Sequence, residues 1–292
     1  MFHFRIMDRL FGTLEDKIDS WEKDLALLKG CCGTFKADDD KVKDLLKVRL
    51  LVAYDLTCAI HYLHENQLLY RDVKPENIGF DIRGDAKLFD FGLCKSLERR
   101  DKVKGGYGYN LTAKTGSIPY MAPEIALGKP YGLEADVFSF GVMLWEILTV
   151  NWAFNGFTTR DYFERVVKGD ERLPLPTNIP PMVRAVMPEA WHKDASKRPN
   201  IRRIGSLIRG ELEDISTDTS VVDRTQHMLN RSNRSRHRMA DRVSRRRLNT
   251  GSSGGSSTRR GRDRVSRRRL NTGSSRESFI AGISDHGSGL VG

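Results

Sequence analysis

Between Val42 and Glu65 the apolar side chains Val48, Val52, Leu56, Ile60 and Leu63 recur at spacings of three and four. That rhythm predicts a helix with those residues on its buried face. EADVFSFGVMLWEILT, 134–149, is apolar nearly all round and predicts a central helix covered on every side. Further helices are expected at 13–28, 158–168, 181–192 and 200–212. FHFRIM at 2–7 reads as a buried strand, and AKLFDFG at 86–92 as a short strand ending in an acid and a glycine. Segments 29–40, 66–80 and the polar, glycine-containing 96–118 read as loops.

The pattern stops near Asp214. Beyond it Ser, Thr, Gly, Asn and Arg dominate and Phe279 is the only aromatic residue. Such a composition buries too little apolar surface to offset chain entropy, so 214–292 is expected to be disordered. Within it DRVSRRRLNTGSS occurs twice, at 241–253 and 263–275. This reads as a duplicated linear motif, since a solenoid unit would need an apolar face.

Charge follows the same boundary. From Val221 onward there are 17 Arg, no Lys and 5 acids, whereas 1–220 carries a net charge of −1. The overall +11 therefore raises nucleic acid or another polyanion as a partner of the tail alone. Nuclear import, phosphorylation near the arginines (Ser244, Thr250, Ser266, Thr272) and plain solubilisation remain as other roles for it. Cys31, Cys32, Cys58 and Cys94 lack metal-ligand spacing and are expected as reduced thiols. No apolar run is long enough to span a membrane, so a cytoplasmic protein, with nuclear residence as a second option, is expected.

The chemistry concentrates in LLYRDVKPENIGFD, 68–81. Phosphoryl transfer needs a positioned hydroxyl, neutralised phosphate charge and magnesium beside the phosphates. Asp72 would accept the hydroxyl proton, Lys74 would face the γ-phosphate and Asn77 would ligate a metal, all from one loop. Asp90, in DFG thirteen residues after Asn77, supplies a second oxygen ligand for magnesium.

With RDVKPEN, DFG, GSIPYMAPE, DVFSFG and RP in this order and at these separations, the chain resembles the eukaryotic protein kinases. The resemblance implies an α+β, mainly α fold: the large lobe of a kinase over 11–213, preceded at 1–10 by the last small-lobe strand and the hinge. It implies ATP and Mg2+ as cofactors and protein Ser/Thr hydroxyls as substrate. Asp72 matches the catalytic aspartate, Lys74 its phosphate-facing neighbour, and Asn77 and Asp90 the metal ligands. Asp8 and Leu10 fall in the hinge that would border the nucleotide. Ser117 matches a hydroxyl residue that bonds the aspartate and lysine, and Arg71 an arginine that pairs with an activation-loop phosphate. Thr112 and Thr115, in the loop 90–124, are the candidate phosphosites. Glu124 and Arg198 match a buried structural ion pair. Asp136 matches the aspartate that anchors the catalytic loop, a role compatible with capping its own helix. KPEN favours Ser/Thr over Tyr, and DVFSFGVMLWEILT is similar to the tyrosine-kinase-like branch.

Three features depart from the family. Tyr70 stands where most members have His, and Gly79 where an apolar residue often lies under the adenine. The Gly-rich loop, its lysine and the helix glutamate are not found in the 292 residues. GGYGYN at 105–110 lacks flanking strands, so it is not expected to replace them. An incomplete copy of an active kinase is the expectation, with a catalytically inactive binding module as the alternative.

Overall fold

The computed structural model describes residues 9–29 and 39–215. The predicted strand at 2–7, Asp8, Cys31, Cys32 and the repeated tail lie outside them.

The domain is built on helices. Helix α1, Leu14–Lys29, opens on a reciprocal cap: Thr13 N donates to Asp16 Oδ2 at 2.8 Å and Asp16 N to Thr13 Oγ1 at 3.2 Å. Leu14, Ile18, Trp21 and Leu25 form its buried stripe. Helix α2, Asp39–Glu65, starts three residues earlier than the pattern predicts. Its face through Val52, Leu56, Ile60 and Leu63 is buried as expected, but Val48 is 46% exposed. The first turns of α2 turn Arg49 inward instead, and its Nη1 donates to Leu148 O at 3.0 Å.

Beyond α2 the predicted loop contains three short elements. Strand β1, Leu68–Leu69, is followed by a 3-10 turn at Pro75–Asn77 and strand β2, Ile78–Phe80. Strand β3 covers only Ala86–Leu88 and pairs antiparallel with β2, Gly79 opposite Lys87. Strand β4, Lys95–Ser96, pairs with β1. The segment before α1 lies along β2: Phe11 N donates to Phe80 O at 2.8 Å. GGYGYN forms a turn closed by a Lys102–Tyr109 bridge.

After the short helix α3, Pro123–Ala126, helix α4 spans Glu134–Thr149, where the all-round apolar pattern places it. Fifteen of its residues are buried, which makes it the axis of the core. Helix α5, Thr159–Asp161, continues as a π-helical turn, Tyr162–Lys168, within the helix expected at 158–168. Helix α6, Pro181–Ala190, and helix α7, Ile201–Ile215, complete the domain. Helix α7 buries Ile201, Ile204, Ile208 and Leu212 on one stripe. Close packing on α2 requires Gly205, since a Cβ there would lie 2.6 Å from Thr57 Oγ1. No helix among the described residues is long and apolar enough to cross a membrane.

Candidate active site

Helix α4 fixes the loop that carries most of the chemistry. Asp136, fully buried in its first turn, accepts from Tyr70 N at 2.9 Å and Arg71 N at 2.8 Å, and its Oδ2 lies 2.9 Å from His64 Nε2. A buried carboxylate must have its lone pairs occupied, and these partners supply the groups. The Asp136 carboxylate bonds the loop and α2, and Leu133 occupies the N-cap position without a side-chain cap, so the capping role is not realised. Arg71 adopts φ +69°, a left-handed conformation costly for a side-chain-bearing residue, and the Asp136 bond holds it there.

The loop then converges on Asp72. Ser117 Oγ donates to Asp72 Oδ1 at 2.9 Å, and Lys74 Nζ donates to Ser117 Oγ at 2.8 Å. Lys74 Nζ also lies 3.3 Å from Asp72 Oδ2. Asn77 Nδ2 donates to that oxygen at 2.7 Å and to the Asp72 carbonyl at 3.0 Å. Asp72, Lys74, Asn77 and Ser117 thus form one hydrogen-bonded unit, though Ser117 lies 45 positions from Asp72. Three donors fix the orientation of the carboxylate, as a general base requires.

Asp90 follows β3 at φ +54° rather than ending a strand, and its Oδ1 accepts from Gly92 N at 3.1 Å. Tyr70 joins the two halves of the site. Its hydroxyl donates to Phe89 O, and its ring meets Phe91 edge-on with centroids 5.4 Å apart. Burial, followed by the charges of Asp72, Asp90 and Asp136, pushes the Tyr70 phenol well above its ordinary range. The metal-binding expectation fits the donors. Asn77 uses its amide nitrogen on Asp72 and keeps Oδ1, and Asp90 keeps Oδ2; hard oxygens of this kind suit Mg2+, which takes its remaining ligands from water and phosphate. Among the described residues no group of three or more His, Cys, Asp or Glu is arranged to hold a metal alone.

Around this centre Leu10 covers Gly79, whereas Asp8 lies outside the described residues. Thr112 is exposed, and the Thr115 hydroxyl donates to Thr112 O at 3.0 Å. Neither threonine hydroxyl bonds Arg71. The Arg71 Nε donates to Leu93 O at 2.5 Å and its Nη1 to Tyr131 Oη at 3.4 Å. Farther out, Arg198 Nη1 and Nη2 donate to Glu124 Oε1 and Oε2 at 2.6 and 2.8 Å.

Two participants have no signal in the sequence pattern. Tyr131 bridges Arg71 to Thr112 O, to which its hydroxyl donates at 2.7 Å. Glu146, buried in α4, accepts from Tyr120 Oη at 2.9 Å and Ala153 N at 3.0 Å, and burial pushes its carboxyl up to about 8. Tyr131 is reached across a long sequence separation and lies in no motif that spacing would single out, whereas Glu146 lies within 134–149 but is hidden there by the apolar run around it.

The protein kinase domain pattern matches residues 39–206. The chain is 31% identical over 184 residues to "Serine/threonine-protein kinase STY17" of Arabidopsis thaliana, covering 63% of this chain and 30% of the relative. Identity with "Protein kinase 3" of Dictyostelium discoideum is 40% over 123 residues, 41% of this chain and 14% of the relative. "Dual specificity protein kinase shkC" of the same organism is 30% identical over 188 residues, 63% of this chain and 35% of the relative. The chain thus spans about a third or less of the length of these relatives. The family pattern covers more than half of the sequence and takes in the loop, the DFG segment and the Glu124–Arg198 pair, so the chain belongs to the eukaryotic protein kinase family.

Proposed function

We propose that this chain carries the catalytic side of a serine/threonine protein kinase, transferring the γ-phosphate of ATP to a protein hydroxyl. The observation that carries this reading is the convergence of Ser117, Asn77 and Lys74 on the Asp72 carboxylate. A module used only for binding has no chemical need to keep that unit assembled.

In this reading the Ser or Thr hydroxyl of the substrate gives its proton to Asp72 as its oxygen forms the new bond to phosphorus. The bond from phosphorus to ADP breaks, and ADP leaves. Lys74 places positive charge beside the transferred group, and Ser117 orients both Lys74 and Asp72. Asn77 and Asp90 would hold Mg2+, which when bound neutralises charge on the phosphates. Asp136 and His64 keep the loop backbone from shifting during the step. Asp8 and Leu10 are proposed to border the nucleotide, and Thr112 and Thr115 to be the phosphorylatable positions of the loop. The Arg-rich tail is proposed to contact polyanions.

The 292 residues alone are expected to transfer little phosphate, so the test is incubation of the endogenous protein, captured with an antibody against residues 39–206, with labelled ATP, Mg2+ and a protein substrate, followed by acid hydrolysis. Label on phosphoserine or phosphothreonine is expected, falling by roughly 100-fold or more in Asp72→Asn, as for loss of a general base. Label that persists in Asp72→Asn refutes the assignment. Label on phosphotyrosine refutes the substrate class, a distinction that matters because relatives named as dual specificity kinases are among the matches.

A further inference from the structure

We propose that Tyr131 holds the activation segment on Arg71 without a phosphate, so that a neutral hydroxyl fills the position expected for a phosphorylated threonine. The proposal rests on reading 90–124 as the activation segment and 71 as its arginine.

A tyrosine hydroxyl has one proton to give and lone pairs to receive. Here the proton goes to Thr112 O at 2.7 Å, and the oxygen receives Arg71 Nη1 at 3.4 Å. The hydroxyl is rigidly placed. Tyr131 is fully buried, and its backbone exchanges hydrogen bonds with Tyr109, 2.9 Å from Tyr109 N to Tyr131 O and 3.2 Å in return. Gly108 makes this pairing possible, because a Cβ there would lie 2.9 Å from Tyr131 N.

Arg71 is tied to the segment at two further points. Its Nε is engaged by Leu93 O, just past the DFG residues. Its carbonyl packs against Gly116, which has φ +102°, and a Cβ on that glycine would lie 2.6 Å from the oxygen. The segment is therefore bonded to Arg71 near its beginning, at Leu93, and through Tyr131 at Thr112, and passes close against the Arg71 carbonyl at Gly116. A phosphate on Thr115 would have to break the bonds from its hydroxyl to Thr112 O and Ala113 O before reaching Arg71. Tyr131 acts through Arg71 and is a positioning residue.

The test is amide hydrogen exchange on the full chain, before and after phosphatase treatment, for wild type, Tyr131→Phe, Arg71→Met and the double variant. Phosphatase-treated wild type is expected to keep its protection across 109–118. Tyr131→Phe, which keeps the ring, is expected to speed exchange there roughly fivefold, the effect of one ordinary hydrogen bond. Amides of α4 should be unchanged. The double variant should exchange faster than either single but by less than the product of the two effects, because both remove the Arg71–Tyr131 link while each also loses a bond of its own, to Leu93 O or to Thr112 O. Arg71→Lys, which keeps the charge but loses the planar fork, replaces Arg71→Met should the latter not fold. Release of the segment by phosphatase alone, no change in Tyr131→Phe, or multiplying effects in the double variant would each overturn the proposal. The readout involves no turnover, so a failure of the kinase reading leaves it interpretable.

Discussion

Leu10 fills the space that a side chain at position 79 would need: a Cβ on Gly79 would lie 2.5 Å from Leu10 Cδ1 and 3.1 Å from Leu10 Cβ. The position expected to floor the nucleotide site is thus covered by the segment proposed as the hinge, from a residue 69 positions away in sequence. The two are registered by backbone pairing, since Thr13 bridges Gly79 and Phe11 bonds Phe80. Gly79→Val should therefore destabilise the domain by about 1–3 kcal/mol, as overpacking does. Leu10→Ala in the same chain should recover much of that loss, because it removes the clashing atoms. Urea unfolding of the two singles and the double measures both quantities; strictly additive effects would contradict the packing described.

The ion pair of Glu124 and Arg198 joins the start of α3 to the chain before α7, 74 positions on. Arg198 also donates to His192 O at 2.8 Å and Glu134 O at 3.0 Å, and its guanidinium lies 5.1 Å from the Phe138 ring centroid. Glu124→Gln leaves that cation buried without a counter-charge and should cost about 3–5 kcal/mol. Arg198→Lys should fare little better than Arg198→Met, since a lysine cannot span both carboxylate oxygens and the two carbonyls. Denaturant midpoints of the three variants check this, and full retention of stability in Arg198→Lys would show that charge alone suffices.

The parts legible in the sequence are those whose cause is local. Helix α4 is legible because its residues are apolar in every direction, and the candidate catalytic loop because Asp72, Lys74 and Asn77 lie within six positions. Val48 misleads because periodicity assumes a helix buried along its whole length, whereas α2 begins beyond the core and turns Arg49 inward. The two-residue strands β1 and β4 exist only because the chain returns to pair with itself. Tyr131 has no local signal. What makes it matter is Arg71, which lies 60 positions earlier and is held at a positive φ by Asp136.

Glu146 should make the stability of the domain depend on pH. Burial is the main reason its carboxyl is pushed from 4.5 up to about 8, and the bonds from Ala153 N and Tyr120 Oη offset only part of that penalty. Between those two values the folded chain keeps the proton and the unfolded chain has lost it. The folded state binds more protons, so the stability that Glu146 contributes is complete below pH 4.5 and declines as pH rises toward about 8. The slope is of order 1 kcal/mol per pH unit over this window. Glu146→Gln is neutral throughout and still offers a carbonyl oxygen to Ala153 N. The stability of this variant relative to wild type should therefore rise steadily from pH 5 to pH 8 and level off above it. Chemical denaturation of both proteins across this range measures the difference; a difference independent of pH would show that the Glu146 carboxyl titrates alike in the folded and unfolded chains.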